Sequence, residues 1–235
     1  MSIDPAVVAE HYRTVQQRIA AACAQTGGTV RRPVQIVCVT KGFGADAIDA
    51  VRAAGAVAIG ESYAQELLTK VDHLSGLDLH FIGRLQTNKV RAIAPLVALW
   101  QSVDREPLAV EIAKLAPGAA VLVQVNSSGE ASKGGCEPAA TEALVERCRA
   151  LGLDVQGLMT VGRTGPPSDA REGFALTRTI ADRLGLEHCS MGMTDDLEIA
   201  VQEGATMVRV GSALFGPRPR ADHSAPDTAR PATLR

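Results

Sequence analysis

Polar, alanine-rich stretches that end in a glycine and pass at once into a short apolar run set the rhythm of this chain. Ala50-Val51-Arg52-Ala53-Ala54-Gly55 gives way to Ala56-Val57-Ala58-Ile59, and the same succession recurs around Gly152, Gly185 and Gly204. Glycine suits the left-handed residue that ends a helix, and the runs beyond are strand-sized and rich in Val, Ile or Leu. The repeating unit is therefore helix, glycine, strand. Eight such runs follow one another: Val34–Thr40, Ala56–Ile59, Leu79–Ile82, Val97–Val103, Ala120–Val125, Val155–Met159, Glu187–Cys189 and Thr206–Val210. Runs apolar enough to be buried on both faces, with helices between them and no hairpin signal, predict a single (β/α)8 TIM barrel; an open doubly wound sheet is the competing arrangement. Ahead of the first run, Ala6 to Thr26 reads as a helix, with Asp4 as N-cap, Pro5 at the first helical position and Gly27-Gly28 as the stop.

Length and composition narrow the class. The 235 residues suffice for one sizeable core, so one domain is expected over residues 1–216, with residues 1–28 as its leading helix. From Pro217 to Arg235 the chain turns to Pro, Arg, Ala and Asp, which predicts an unpacked tail. A net charge of −2 and 3% aromatic residues provide neither an electrostatic footprint nor stacking platforms for nucleic acid. Five cysteines without a C-x-x-C pair, and histidines without ligand spacing, predict reduced thiols and no metal site. No run has the length of a membrane span and the N-terminus lacks a signal-like segment, so a cytoplasmic protein is expected.

The chemistry concentrates at the ends of the apolar runs. Ser190-Met191-Gly192-Met193-Thr194 and Val210-Gly211-Ser212 are hydroxyl-bearing turns directly after the seventh and eighth runs. In a barrel, the loops in those places commonly hold a phosphate, and Ser190, Thr194 and Ser212 could share one. Lys41 ends the first run, which a closed barrel places beside the eighth. An amine facing a phosphate cup suggests a Schiff base, and pyridoxal phosphate as its partner. Arg209, flanked by Val208 and Val210, reads either as a salt bridge to a barrel carboxylate or as a donor to the cofactor's ring nitrogen. Thr194 is placed to cap the following helix, with Asp195 and Asp196 in its first turn. Asn126 and Lys133-Gly134-Gly135 could face the mouth, and Gly162 to Ser168 forms a candidate flap. Met159 and Met191 suit either core or cofactor contact.

These residues carry a family resemblance. Thr40-Lys41, Ile59-Gly60-Glu61-Ser62-Tyr63-Ala64-Gln65-Glu66, His80-Phe81-Ile82-Gly83-Arg84-Leu85-Gln86-Thr87-Asn88-Lys89 and Ser190 through Gly216 resemble, in order, the pyridoxal-phosphate homeostasis proteins, single-domain relatives of the alanine racemase N-terminal barrel. The resemblance implies a Schiff base on Lys41, phosphate ligation by Ser190, Gly211 and Ser212, and Arg209 against the ring nitrogen. Ser62 stands where the family usually has Asn, in a loop on the cofactor side. It further implies a non-catalytic protein that holds pyridoxal 5'-phosphate and delivers it to apoenzymes, and because a site on a single barrel needs no second subunit, a monomer is expected. An amino-acid racemase would need a second acid/base, for which Tyr63 is the nearest candidate, and a lysine aldolase would use the same amine and cup without a cofactor.

Overall fold

The computed structural model describes residues 3–26 and 33–217; the expected Gly27-Gly28 stop, and the expected tail from residue 218 onward, lie outside the described residues. Eight parallel strands close on themselves in sequence order, β1 (Gln35–Val39), β2 (Ala58–Glu61), β3 (Asp78–Phe81), β4 (Leu99–Val103), β5 (Ala120–Val125), β6 (Asp154–Thr160), β7 (His188–Ser190) and β8 (Met207–Val210). The barrel excludes the open sheet. Each apolar run became a strand, shifted most at β2, where Ala56 and Val57 belong to the approach and the strand continues to Glu61.

Alternation along the strands divides the apolar residues into two sets. Val37, Ala58, Leu99, Leu122, Met159 and Met207 point inward and pack with one another, whereas Cys38, Ile59, Val121 and Val208 belong to the larger core between sheet and helices. The helices between the strands are α2 (Ala45–Ala53), α3 (Ala64–Leu68), α4 (Val90–Ile93), α5 (Glu106–Leu115), α6 (Thr141–Ala150), α7 (Arg171–Arg183) and α8 (Leu197–Gln202), with α9 (Ser212–Phe215) after β8.

The leading helix α1 (Pro5–Gln25) starts as its sequence predicts: the Asp4 carboxylate accepts from the Ala6 N–H at 2.9 Å and Pro5 occupies the first turn. Val8, Tyr12, Val15, Ile19 and Ala22 form its buried stripe, which lies on α2, α8 and α9. The helix therefore covers the seam where the barrel closes. There Val37 of β1 sits opposite Arg209 of β8, and the first residue after β8, Gly211, approaches Val39 so closely that a Cβ would lie 3.2 Å from the Val39 carbonyl oxygen. First and last strand are neighbours, and their exits meet.

Candidate functional site

Val37, Val39 and Lys41 follow one another on the inner side of β1 and its exit, so the strand that contributes to the inner core also delivers the lysine to the mouth. Immediately beyond, Gly42 turns the chain with φ of 78°, a conformation costly for any residue with a Cβ. Lys41 lines a cavity of about 540 Å³ at the carboxyl ends of the strands. Its apolar walls come from Val39, Ile82, Met159 and Val161, and its polar ones from Lys41, Thr194, Arg209, Gly211 and Ser212. That size and mixture suit a small ligand with one polar end and one apolar body.

The cup loops touch each other directly. The Ser212 hydroxyl donates to Thr194 Oγ1 at 3.0 Å, and the Ala213 N–H reaches the same oxygen at 3.3 Å. The leading helix braces both loops from outside. Arg18 donates to the Thr194 carbonyl at 2.8 Å while gripping Glu198 through two bonds of 2.6 and 2.9 Å, and His11 Nδ1 pairs with the Leu214 carbonyl at 2.9 Å. Thr194 does not cap α8 as its sequence position suggested. Asp196 takes the cap position, and its carboxylate turns back to accept from the Met193 N–H at 2.6 Å. Burial raises the Asp196 carboxyl above its ordinary range, against the lowering effect of that N–H and of Arg209 nearby.

Arg209 has neutral oxygens as hydrogen-bond partners rather than the carboxylate that one of its two readings offered. Nη1 donates to the Ser190 carbonyl at 2.7 Å and to Ser190 Oγ at 2.8 Å, and Nη2 to the Thr160 carbonyl at 2.7 Å. Burial lowers its pKa to about 10, partly opposed by Asp196, which leaves it a cation at neutral pH. From Ser190 the chain of bonds continues across the barrel interior. Ser190 Oγ donates to Gln101 Oε1 at 2.7 Å, and Gln101 Nε2 pairs with His80 Nδ1, also at 2.7 Å. Because Gln101 has only N–H bonds to give at that end, His80 Nδ1 accepts and its own proton sits on Nε2. Burial pushes the His80 pKa down to about 4, so the ring is neutral near pH 7.

The structure brings Lys41, Thr194, Arg209, Gly211 and Ser212 onto one cavity, with Met159 on its apolar wall, and leaves Ser62, Asn126, Ser190 and Met191 off its lining. Ser190 lies one level below the cup, fully buried under Arg209, because the inward position at the end of β7 points into the barrel rather than out of its mouth. Met191 faces the outer core, and Asn126 ties its own loop by donating to the Glu130 carbonyl at 3.1 Å. Ser62 and Tyr63 line a separate cleft with Arg84 and Lys89, and Tyr63 is 59% exposed. The candidate flap touches the cavity only through the preceding Val161, and is tied by the Thr164 N–H to Glu130 Oε2 at 2.9 Å. Arg18 and Gln101 escaped sequence reasoning, as did the parts that His80 plays in the buried relay and Asp196 at the cap position. An isolated polar residue in an apolar run, as at His80 and Gln101, is the one signal that could have flagged two of them.

All five cysteines are free thiols, with burial pushing Cys38 and Cys189 up to about 12. No group of metal-ligating side chains and no helix long and apolar enough to cross a membrane occurs among the described residues.

Residues 11–219 match the family model for the N-terminal domain of alanine racemase. The chain is similar to the pyridoxal phosphate homeostasis protein of Pseudomonas aeruginosa, 42% identical over 229 residues that cover 93% of this chain and 98% of the relative. Among solved structures, a protein of unknown function from Bifidobacterium adolescentis superposes with a TM-score of 0.83 at 34% identity, covering 90% of this chain and 95% of that one. PipY of Synechococcus elongatus, solved with PLP bound, superposes with a TM-score of 0.70 at 31% identity, covering 84% of this chain and 100% of PipY.

Proposed function

This chain belongs to the pyridoxal phosphate homeostasis proteins and is built on the alanine racemase N-terminal domain, and from that premise we propose that it holds pyridoxal 5'-phosphate on Lys41 and passes it to apoenzymes without turnover. The observation that carries the reading is the convergence of an amine, a buried guanidinium and two touching hydroxyls on one cavity with apolar walls. These residues fit the cofactor group by group. Thr194 and Ser212 offer hydroxyls to the phosphate, and Gly211 lies beside them on the same lining. Val39, Ile82 and Met159 provide apolar surface for the ring. Arg209, a buried cation on the cavity lining held by its bonds to Ser190 and Thr160, would donate to the ring nitrogen and keep it unprotonated, which would weaken the ring as an electron sink. Lys41 supplies the amine for a Schiff base with the aldehyde carbon, releasing one water.

Two features favour holding over catalysis. A weak electron sink disfavours carbanion chemistry, and Tyr63, the nearest candidate for a second acid/base, lines a different cleft. The residues that would hold the cofactor come from a single barrel, so the carrier reading needs no second subunit. The first measurement is the visible absorption of the protein with added pyridoxal phosphate, before and after borohydride, with the reduced adduct located by peptide mass analysis. A chromophore trapped on Lys41, together with transfer to an apoenzyme and unchanged optical activity of L-alanine, is the expected result. Adduct on another lysine, or no chromophore, would overturn it.

A further inference from the structure

Lys41 sits between two residues whose backbones are held by one buried charge cluster behind the barrel wall. The Lys70 ammonium donates three hydrogen bonds: to the Thr40 carbonyl at 3.0 Å, to Glu61 Oε1 at 2.7 Å and to Glu66 Oε1 at 2.7 Å. Three is the full donor capacity of a lysine. Thr40 is held a second time, its hydroxyl donating to Glu61 Oε1 at 2.7 Å, and on the far side of Lys41 the Gly42 N–H donates to Glu66 Oε1 at 2.6 Å. The residue before the lysine is thus tied to Lys70 and Glu61, and the residue after it to Glu66, which Lys70 joins to the other two. Glu61 and Lys70 are 0% and 3% exposed, and Glu66 is 24% exposed.

Stability alone is a poor reason for such a cluster. Buried ion pairs commonly do no better than apolar residues of similar volume, because desolvation offsets their attraction. Here Glu61 Oε2 has no hydrogen-bond partner as well. What the cluster does achieve is geometric: it adds to the Phe43 N–H bond to the Thr40 carbonyl at 3.2 Å in fixing a turn that passes through the conformationally permissive Gly42.

We infer that Lys70, Glu61 and Glu66 are positioning residues that clamp the Thr40–Gly42 backbone and so aim the Lys41 amine into the cavity. The inference rests on the assignment of Lys41 as the cofactor lysine. Four proteins test it: wild type, Glu66→Ala, Glu66→Gln and the charge-free pair Glu61→Leu with Lys70→Met. Glu66→Gln keeps an oxygen to accept from Gly42 but removes the charge. Two quantities are followed: amide exchange at Gly42 without added cofactor, and the rate at which borohydride traps pyridoxal phosphate on Lys41 compared with total cofactor bound.

In Glu66→Ala the Gly42 amide should exchange about fivefold faster, the equivalent of one lost hydrogen bond. Trapping on Lys41 should slow by about ten- to a hundredfold in Glu66→Ala and in the pair, as misplaced reacting groups do, while total binding through the cup is unchanged. Glu66→Gln should stay close to wild type in both quantities. Wild-type trapping rates and wild-type Gly42 exchange in Glu66→Ala would overturn the clamp while leaving the carrier function intact, and this variant decides the matter should the pair fail to fold. Absence of any Lys41 adduct in the wild type would overturn the carrier function and the clamp together.

Discussion

His80 provides a direct measure of the buried relay that supports Arg209. Its neutral ring accepts from Gln101 Nε2 at 2.7 Å inside the barrel, and burial holds its pKa near 4 instead of the usual 6.5. The unfolded chain therefore takes up a proton at pH values where the folded one refuses it. The sign follows from that difference: stability is fully present above about pH 6.5 and is lost as pH falls toward about 4, where the folded state protonates too. Fully expressed, the gap is worth about 3 kcal/mol, and between about pH 7 and pH 4.5 it amounts to ~2–3 kcal/mol. His80→Asn keeps a side-chain oxygen to accept from Gln101 and cannot titrate. Urea unfolding of both proteins at the two pH values isolates the residue, since every other carboxylate and histidine is common to both. Wild type should lose the additional ~2–3 kcal/mol on acidification. Losses that agree within the ~10–15% error of linear extrapolation would refute the buried, neutral histidine and the bond direction of the relay.

Ser190→Ala removes the hydroxyl that joins Arg209 to Gln101 and should cost about 1–3 kcal/mol by urea unfolding, while phosphate affinity stays at the wild-type value. Ser212→Ala should show the opposite pattern, so phosphate affinities measured by calorimetry distinguish the cup from the layer beneath it. Asp195 places a carboxylate on the cavity lining beside Thr194, and Asp195→Asn should tighten phosphate binding by about two- to fivefold at low salt, the scale of an exposed charge pair, with the gain fading as salt rises. Gly192 has φ of 90° and a Cβ there would lie 2.5 Å from that of Ala200, so Gly192→Ala should destabilise by about 3 kcal/mol and lower Tm by ~10 °C in calorimetry.

The barrel was legible because its signals are local and repeated. Strand-sized apolar runs, glycines at helix ends and the Asp4-Pro5 helix start depend on residues within a few positions of one another, and each appears in the structure within a residue or two of where the sequence predicts it. The pairing of Lys41 with Gly211 and Ser212 was legible for one further reason: closure of a barrel makes the first and last strands neighbours whatever their side chains. Depth was not legible. Ser190 and Thr194 are both hydroxyls in one short turn, yet one lies beneath Arg209 and the other on the cavity, because strand alternation and the height of each layer decide which side chain reaches the mouth. Nor could the sequence join His80 to Gln101 and Ser190, or Lys70 to Thr40, Glu61 and Glu66, which bond across different strands and loops. Those partnerships arise because a polar group taken out of water must find a partner wherever the fold has placed one. Sequence alone determined the elements, their order and the chemistry available at their ends; tertiary structure decided which polar groups face a ligand and which hold the others in place.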